Sequence, residues 1–267
     1  MAKDLRVTLL QTSIVWEDSI KNIKHINKQL STLVRNSTDV IVLPEMFNTG
    51  FTMNAEKLAE EEGGLTMQWM SEVSSSLNAV VCGSIIIKEK NNFYNRFIWM
   101  NPDGSFQKYD KRHLFRMGGE HKIFTAGKEN VVIECKGWMI CPQVCYDLRF
   151  PVWSRNRIEQ DGKNISFNYD ILLYVASWPN VRKFAWQQLL IARAIENQSY
   201  VVGVNRIGKA LNVLHNGDSV ILDPLGQKIS KTTTKSSMET ITLSMENLIN
   251  FRKQFPVFYD ADSFKIV

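Results

Sequence analysis

The chain has 267 residues, 44% of them hydrophobic and 22% charged, a globular mix that excludes intrinsic disorder and supplies a sizeable core. Lys and Arg exceed Asp and Glu by a net +5, too small an excess to mark a nucleic-acid binder and compatible with small anionic ligands. No apolar run approaches the ~18 residues of a membrane span, and the opening Met1-Ala2-Lys3-Asp4 meets charge too early for a signal peptide. The cytoplasm is therefore the expected compartment.

Residues 5–10 and 39–43 are short apolar runs rich in β-branched side chains, each predicted as a buried strand. Between them Ile20, Ile23, Ile26, Leu30, Leu33 and Val34 recur at three- and four-residue spacing. That spacing predicts an amphipathic helix with these six on its buried face and His25 on its solvated one. A second helix is predicted over 65–77, followed by strands over 79–87, 94–100 and 105–109, with turns at Asn91-Asn92 and Asn101-Pro102-Asp103-Gly104. Strands over 131–135, 138–144 and 171–176 precede a long helix over about 181–198, and further strands fall at 200–205, 219–222 and 239–243. The stretch 184–195 is apolar on most sides and is read as buried on most sides, either within one chain or against a second. No linker, repeat or low-complexity stretch divides the chain. The predicted fold is α/β with mixed strand directions and helices covering the sheet faces, in one domain spanning residues 1–267.

Four cysteines (Cys82, Cys135, Cys141, Cys145) are too few for a disulfide scaffold at this length, and neither they nor the four histidines show zinc-ligand spacing. No metal and no cofactor are expected. Three polar residues stand where a buried strand ends: Glu45, Lys111 and Cys145. Ligands of open α/β sheets bind at strand ends, and a thiol leaving a strand on a sharp turn is exposed beside backbone donors, as a nucleophile requires. A thiol needs a base or a cation to react at neutral pH, roles open to Glu45 and Lys111. Each residue also has a plainer reading, a small buried hydrophobe for the cysteine and a surface ion pair for the other two. Cys82, Cys135 and Cys141 lie inside apolar strands and are read as core.

The segments Leu43-Pro44-Glu45, Lys108-Tyr109-Asp110-Lys111-Arg112-His113-Leu114 and Cys145-Tyr146-Asp147-Leu148-Arg149-Phe150-Pro151 together resemble the nitrilase superfamily of carbon-nitrogen hydrolases. The resemblance runs over nearly the whole chain and implies a four-layer α-β-β-α sandwich with mixed sheets that dimerises through its helical layer. It implies Cys145 as nucleophile, Glu45 as general base, Lys111 as the cation beside the tetrahedral intermediate, and the Tyr146 N–H as second oxyanion donor. A further match at Glu45-Met46-Phe47-Asn48-Thr49-Gly50-Phe51, His113-Leu114-Phe115-Arg116, Gly119-Glu120-His121 and Ser177-Trp178-Pro179 resembles the bacterial omega-amidase branch. That branch hydrolyses the terminal amide of 2-oxoglutaramate and 2-oxosuccinamate, and the match implies that Glu120 helps position the lysine and the substrate.

Residues 108–122 hold five cations (Lys108, Lys111, Arg112, Arg116, Lys122) against Asp110 and Glu120, which suits an anionic keto-amide. Arg116 and Arg182 are the candidates for its carboxylate, and Phe51 and Trp178 for apolar walls; structural ion pairs and core packing are the competing readings. The expected assembly is a homodimer, with the C-terminal tail, about 245–267, packing on the partner subunit. No nucleic-acid or membrane partner is expected. Three alternatives stay open: an amidase of the same family acting on deaminated glutathione, a nitrile or an N-carbamoyl amino acid; a peptidase-like Cys145–His113 pair oriented by Asp110; and a non-catalytic binding module.

Overall fold

The computed structural model describes residues 4–161, 164–231, 233–262, 264 and 266. The first three residues, weighed above against a signal peptide, and Ser263, Lys265 and Val267 of the C-terminal tail lie outside the described residues. In chain order, β1 (Leu5–Gln11), α1 (Ser19–Leu30) and β2 (Val40–Val42) form the opening β-α-β unit. Helices α2 (Ala55–Leu58) and α3 (Leu65–Leu77) lead to β3 (Val80–Glu89), β4 (Asn92–Met100) and β5 (Phe106–Asp110). Then come β6 (Ile133–Cys135), β7 (Trp138–Val144), α4 (Pro151–Ser154), β8 (Ile158–Asp161), β9 (Asn164–Phe167) and β10 (Ile171–Ala176). The chain ends through α5 (Lys183–Asn197), β11 (Tyr200–Asn205), β12 (Ile207–Ala210), β13 (Val213–Asn216), β14 (Val220–Leu222), β15 (Ser237–Leu243) and α6 (Met245–Gln254).

One sheet has six strands in the order β15-β1-β2-β3-β4-β5 and the other five in the order β14-β11-β10-β7-β6. In each, the central strands run parallel and the outer ones antiparallel. Alternation of side chains along each strand sorts the core into three slabs. Leu5, Val7, Leu9 and Trp99 of the first sheet meet Ile140, Leu173, Val175 and Val202 of the second between the sheets. On the outer face of the first sheet, Leu10, Ile41 and Val81 pack under Ile26 and Leu30 of α1 and Met70 of α3. On the outer face of the second, Leu172, Tyr174 and Val201 pack under Trp186, Leu190 and Ala194 of α5. The layering is therefore α-β-β-α, and strands buried on both faces explain why they read as continuous apolar runs.

Helix α1 departs from its predicted face. The Asp18 side chain caps it by accepting from Lys21 N at 3.0 Å, and it closes at Leu30. Ile26 and Leu30 are buried, but Ile20 is 64% and Val34 71% exposed. At 3.6 residues per turn Ile20 lies about 120° round the helix from Ile26, and Val34 lies beyond the helix end. Helix α5 also differs from its reading. Trp186, Leu190 and Ala194 form one buried stripe, while Phe184 is 73% and Ile195 52% exposed. Its close seat on the sheet depends on Gly203 of β11, where a Cβ would stand 2.7 Å from Leu190 Cδ1. The hairpins β8–β9 and β12–β13 and helix α6 were not legible, because their short segments lack a sustained apolar period.

Candidate active site

The carboxyl ends of β2, β5, β7 and β10 meet along one edge of the sandwich. Glu45 follows β2, Lys111 follows β5, Cys145 follows β7 and Ser177 follows β10. Glu45 Oε1 accepts from Lys111 Nζ at 2.8 Å and from Asn95 Nδ2 at 2.8 Å, while Oε2 accepts from Ser177 N at 2.8 Å. Glu120 closes on the same ammonium, taking Lys111 Nζ at 3.0 and 2.9 Å, Asn95 Nδ2 at 3.0 Å and the Phe115 N–H at 2.6 Å. Glu45, Lys111 and Glu120 are all buried. The fold thus joins residues 45, 111 and 120 in one polar cluster, which spacing alone did not do.

Cys145 opens a tight 3-10 turn, Cys145 to Arg149, with φ at +47°, a conformation that non-glycine residues adopt at a cost and that clusters at functional sites. Asp147 fixes this turn against β5: its carboxylate accepts from Val144 N at 3.0 Å, Tyr109 Oη at 2.8 Å and His113 N at 2.9 Å. His113 Nδ1 lies 2.8 Å from the same carboxylate and its ring stacks on Phe150 at 3.8 Å. Asp110 is held by Arg96 at 2.7 Å. The peptidase-like arrangement is therefore corrected, since the partner of His113 is Asp147 and Asp110 does not orient it.

Burial pushes the Cys145 thiol well above its usual range, and the neighbouring Glu45 carboxylate adds to the rise against the pull of Lys111. The thiol rests protonated, and a thiol in that state needs a base before it can react as a nucleophile. Burial opposes the Lys111 charge, yet Glu120 and Glu45 outweigh it and hold the ammonium above its ordinary range. Burial raises the Glu120 carboxyl, with Lys111 opposing.

Above this cluster lies a cavity of about 450 Å³ lined by Lys111, Cys145, Tyr146 and Ser177. Phe51 and Trp178 form part of its wall, and the Lys111 ammonium stands 5.2 Å from the Phe51 ring centroid. Arg182 also lines it, its guanidinium 5.4 Å over Phe115. Arg116 does not: it is exposed, because Phe115 and Gly118 of its loop take the cavity side. In its place the structure presents Arg149, which lines the cavity with its guanidinium 4.9 Å over the Trp178 ring. Among the described residues neither Arg149 nor Arg182 makes an ion pair.

Asn95, Arg149 and His215 were missed in the sequence. Asn95 stands beside Arg96, and the two are the polar interruption of the apolar strand predicted over 94–100, a signal that was available. Arg149 belongs to the same turn as Cys145. His215 had no local signal; it reaches the cavity from β13, with Nε2 3.3 Å from Ser177 Oγ. Burial, and behind it the charge of Arg206, push His215 down to about 4. An unfolded imidazole protonates below about 6.5, so between pH 6.5 and 4 the unfolded chain binds the extra proton. The stabilisation is full above that window and falls by up to about 3 kcal/mol as the pH drops through it. Urea midpoints of the wild type are expected to fall between pH 7 and 5, and less steeply in His215→Gln.

Among the described residues no group of three or more His, Cys, Asp or Glu is placed to hold a metal ion, and no helix is long and apolar enough to cross a membrane. The sandwich and its strand-end cluster are those of an amide-bond hydrolase of one superfamily: residues 6–253 match the carbon-nitrogen hydrolase family, and the chain belongs to it. It is 47% identical over 265 residues to the omega-amidase YafV of Yersinia enterocolitica, covering 98% of this chain and 99% of that protein. It is 30% identical to the 2-oxoglutaramate amidase of Bacillus subtilis, covering 95% and 96% respectively. The solved structure of XC1258 from Xanthomonas campestris, a CN-hydrolase superfamily protein with an arsenic adduct in its active site, superposes with a TM-score of 0.95. It is 41% identical, over 99% of this chain and 100% of that one.

Proposed function

We propose that this chain is an omega-amidase that hydrolyses the terminal amide of 2-oxoglutaramate or 2-oxosuccinamate to the 2-oxo dicarboxylate and ammonia, through a thioester on Cys145. The observation that carries this reading is the cavity itself, whose floor holds Cys145 and Lys111 and whose wall presents Arg149 and Arg182, which have no carboxylate partner among the described residues. Omega-amidase relatives matched along nearly the whole chain support it.

Glu45 takes the thiol proton as sulfur attacks the amide carbon, which answers the raised pKa of Cys145. The carbonyl oxygen becomes an anion, and Lys111 with the Tyr146 N–H stabilises it. Glu45 returns the proton to nitrogen, ammonia leaves, and the thioester remains. Water then attacks the thioester, giving its proton to Glu45; the C–S bond breaks, the acid departs, and Glu45 returns the proton to the Cys145 sulfur. Glu120 holds Lys111 in place throughout. Arg149 and Arg182 take the substrate carboxylate, since a guanidinium binds it bidentately.

The whole chain acts as one catalytic unit, and four free thiols suit the reducing cytoplasm. The assembly is a homodimer: Phe184 and Ile195 on α5, with Phe255 and Tyr259 of the C-terminal tail at 59% and 60% exposure, supply apolar surface for a partner. A concentration-independent monomer in light scattering would contradict that assembly.

The test is a panel of 2-oxoglutaramate, 2-oxosuccinamate, glutamine, deaminated glutathione, a nitrile and an N-carbamoyl amino acid, with Cys145→Ala as control. Ammonia release from the two keto-amides, little from glutamine, and none by the variant are expected. Faster turnover of another member of the panel would move the chain to a different specificity within its family.

A further inference from the structure

Strands β12 and β13 form a two-stranded sheet of their own in which Ala210 pairs with Val213, so Leu211 and Asn212 are the whole of the turn. Leu211 has φ at +51°, and Asn212 is not among the residues of positive φ. Positive φ at the first central position alone is the pattern of a type II′ turn, and that position ordinarily belongs to glycine. A leucine holds it against the steric preference of its own backbone. Core packing does not account for the choice, because Leu211 is 68% exposed.

The side chain instead lines the catalytic cavity, as do Ala210 and Val213 of the same hairpin. The hairpin is tied down around it. Ile207 N donates to Thr12 O at 3.0 Å, Asn216 Nδ2 donates to Asn180 Oδ1 at 2.8 Å, and His215 stands against Ser177. An anchored hairpin therefore presents a strained, solvent-exposed leucine to the cavity. Strain of this kind persists where the surroundings enforce it and points to function.

We propose that Leu211 is a specificity-determining residue, an apolar wall against which the substrate's methylene chain packs while Arg149 and Arg182 hold its carboxylate. The proposal rests on the omega-amidase reading and sharpens it, because the wall favours the five-carbon keto-amide over the four-carbon one. The exposed apolar surface of Leu211 is withdrawn from water only when a substrate chain covers it, so the gain is realised on binding and grows with each methylene.

The experiment compares kcat/KM for 2-oxoglutaramate and 2-oxosuccinamate in the wild type and in Leu211→Gly, Leu211→Asn and Leu211→Met, with melting temperatures for all four. Glycine and asparagine both tolerate positive φ, so their variants are expected to melt no lower than the wild type. They should nonetheless lose kcat/KM for the longer substrate by about ten-fold, chiefly through KM, and with it the preference for the longer chain. Leu211→Met should keep both. Glycine and asparagine variants that retain the wild-type ratio would overturn the proposal, as would a loss of preference seen only with a lowered melting temperature. A folded wild type that releases ammonia from neither keto-amide would overturn the omega-amidase reading and this proposal together, an outcome distinct from the other two.

Discussion

Glu45→Gln is expected to lower kcat for keto-amide hydrolysis by about 10³-fold, within the range of positioned acid–base groups, while the protein stays folded. The amide is nearly isosteric with the carboxylate, and Glu120 remains to pair with Lys111 at 2.9 Å. The size of the loss follows from the arrangement. A raised thiol pKa leaves Cys145 protonated, so without a base acylation stalls, and the same base is needed again to activate water. Rapid-quench kinetics should therefore show neither a burst of ammonia nor an accumulated acyl-enzyme. A variant that released a full burst and then stopped would assign Glu45 to deacylation alone.

Lys111→Met is expected to act on stability and on rate together. It leaves Glu45 and Glu120, both 0% exposed, facing one another without their shared cation. Breaking a buried pair by removing one partner costs about 3–5 kcal/mol, and losing an oxyanion donor costs about 10²–10³-fold in kcat. The stability loss should lessen at acid pH, because burial raises the Glu120 carboxyl and its protonation relieves the repulsion. Urea titrations at pH 7 and pH 5 check this. Equal losses at both would mean that packing, rather than charge, makes Lys111 stabilising.

The layers were legible because strands buried on two faces write continuous apolar runs, and Leu172, Val175 and Val201 show that pattern directly. Helix ends were less legible, since the apolar spacing around α1 continues to Val34 although the helix stops at Leu30. For the site, strand ends marked Glu45, Lys111 and Cys145, but only the family resemblance joined them. Asn95 shows the limit: its amide bridges Glu45 and Glu120 across gaps of 50 and 25 residues, a relation that no local pattern carries. Arg116 shows another. It was chosen for its charge, whereas the 3-10 turn after Phe115 sends it to solvent, and Arg149 occupies the cavity wall because it rides on the turn that begins at Cys145.

The claim at the centre of this account is that Cys145 carries the acyl group, and the most direct measurement is intact and peptide mass spectrometry of enzyme acid-quenched during turnover of 2-oxoglutaramate. The expected result is an adduct equal to the substrate less ammonia, on the peptide containing Cys145, and absent from Cys145→Ala. An adduct on another residue, or turnover undiminished in Cys145→Ala, would contradict it.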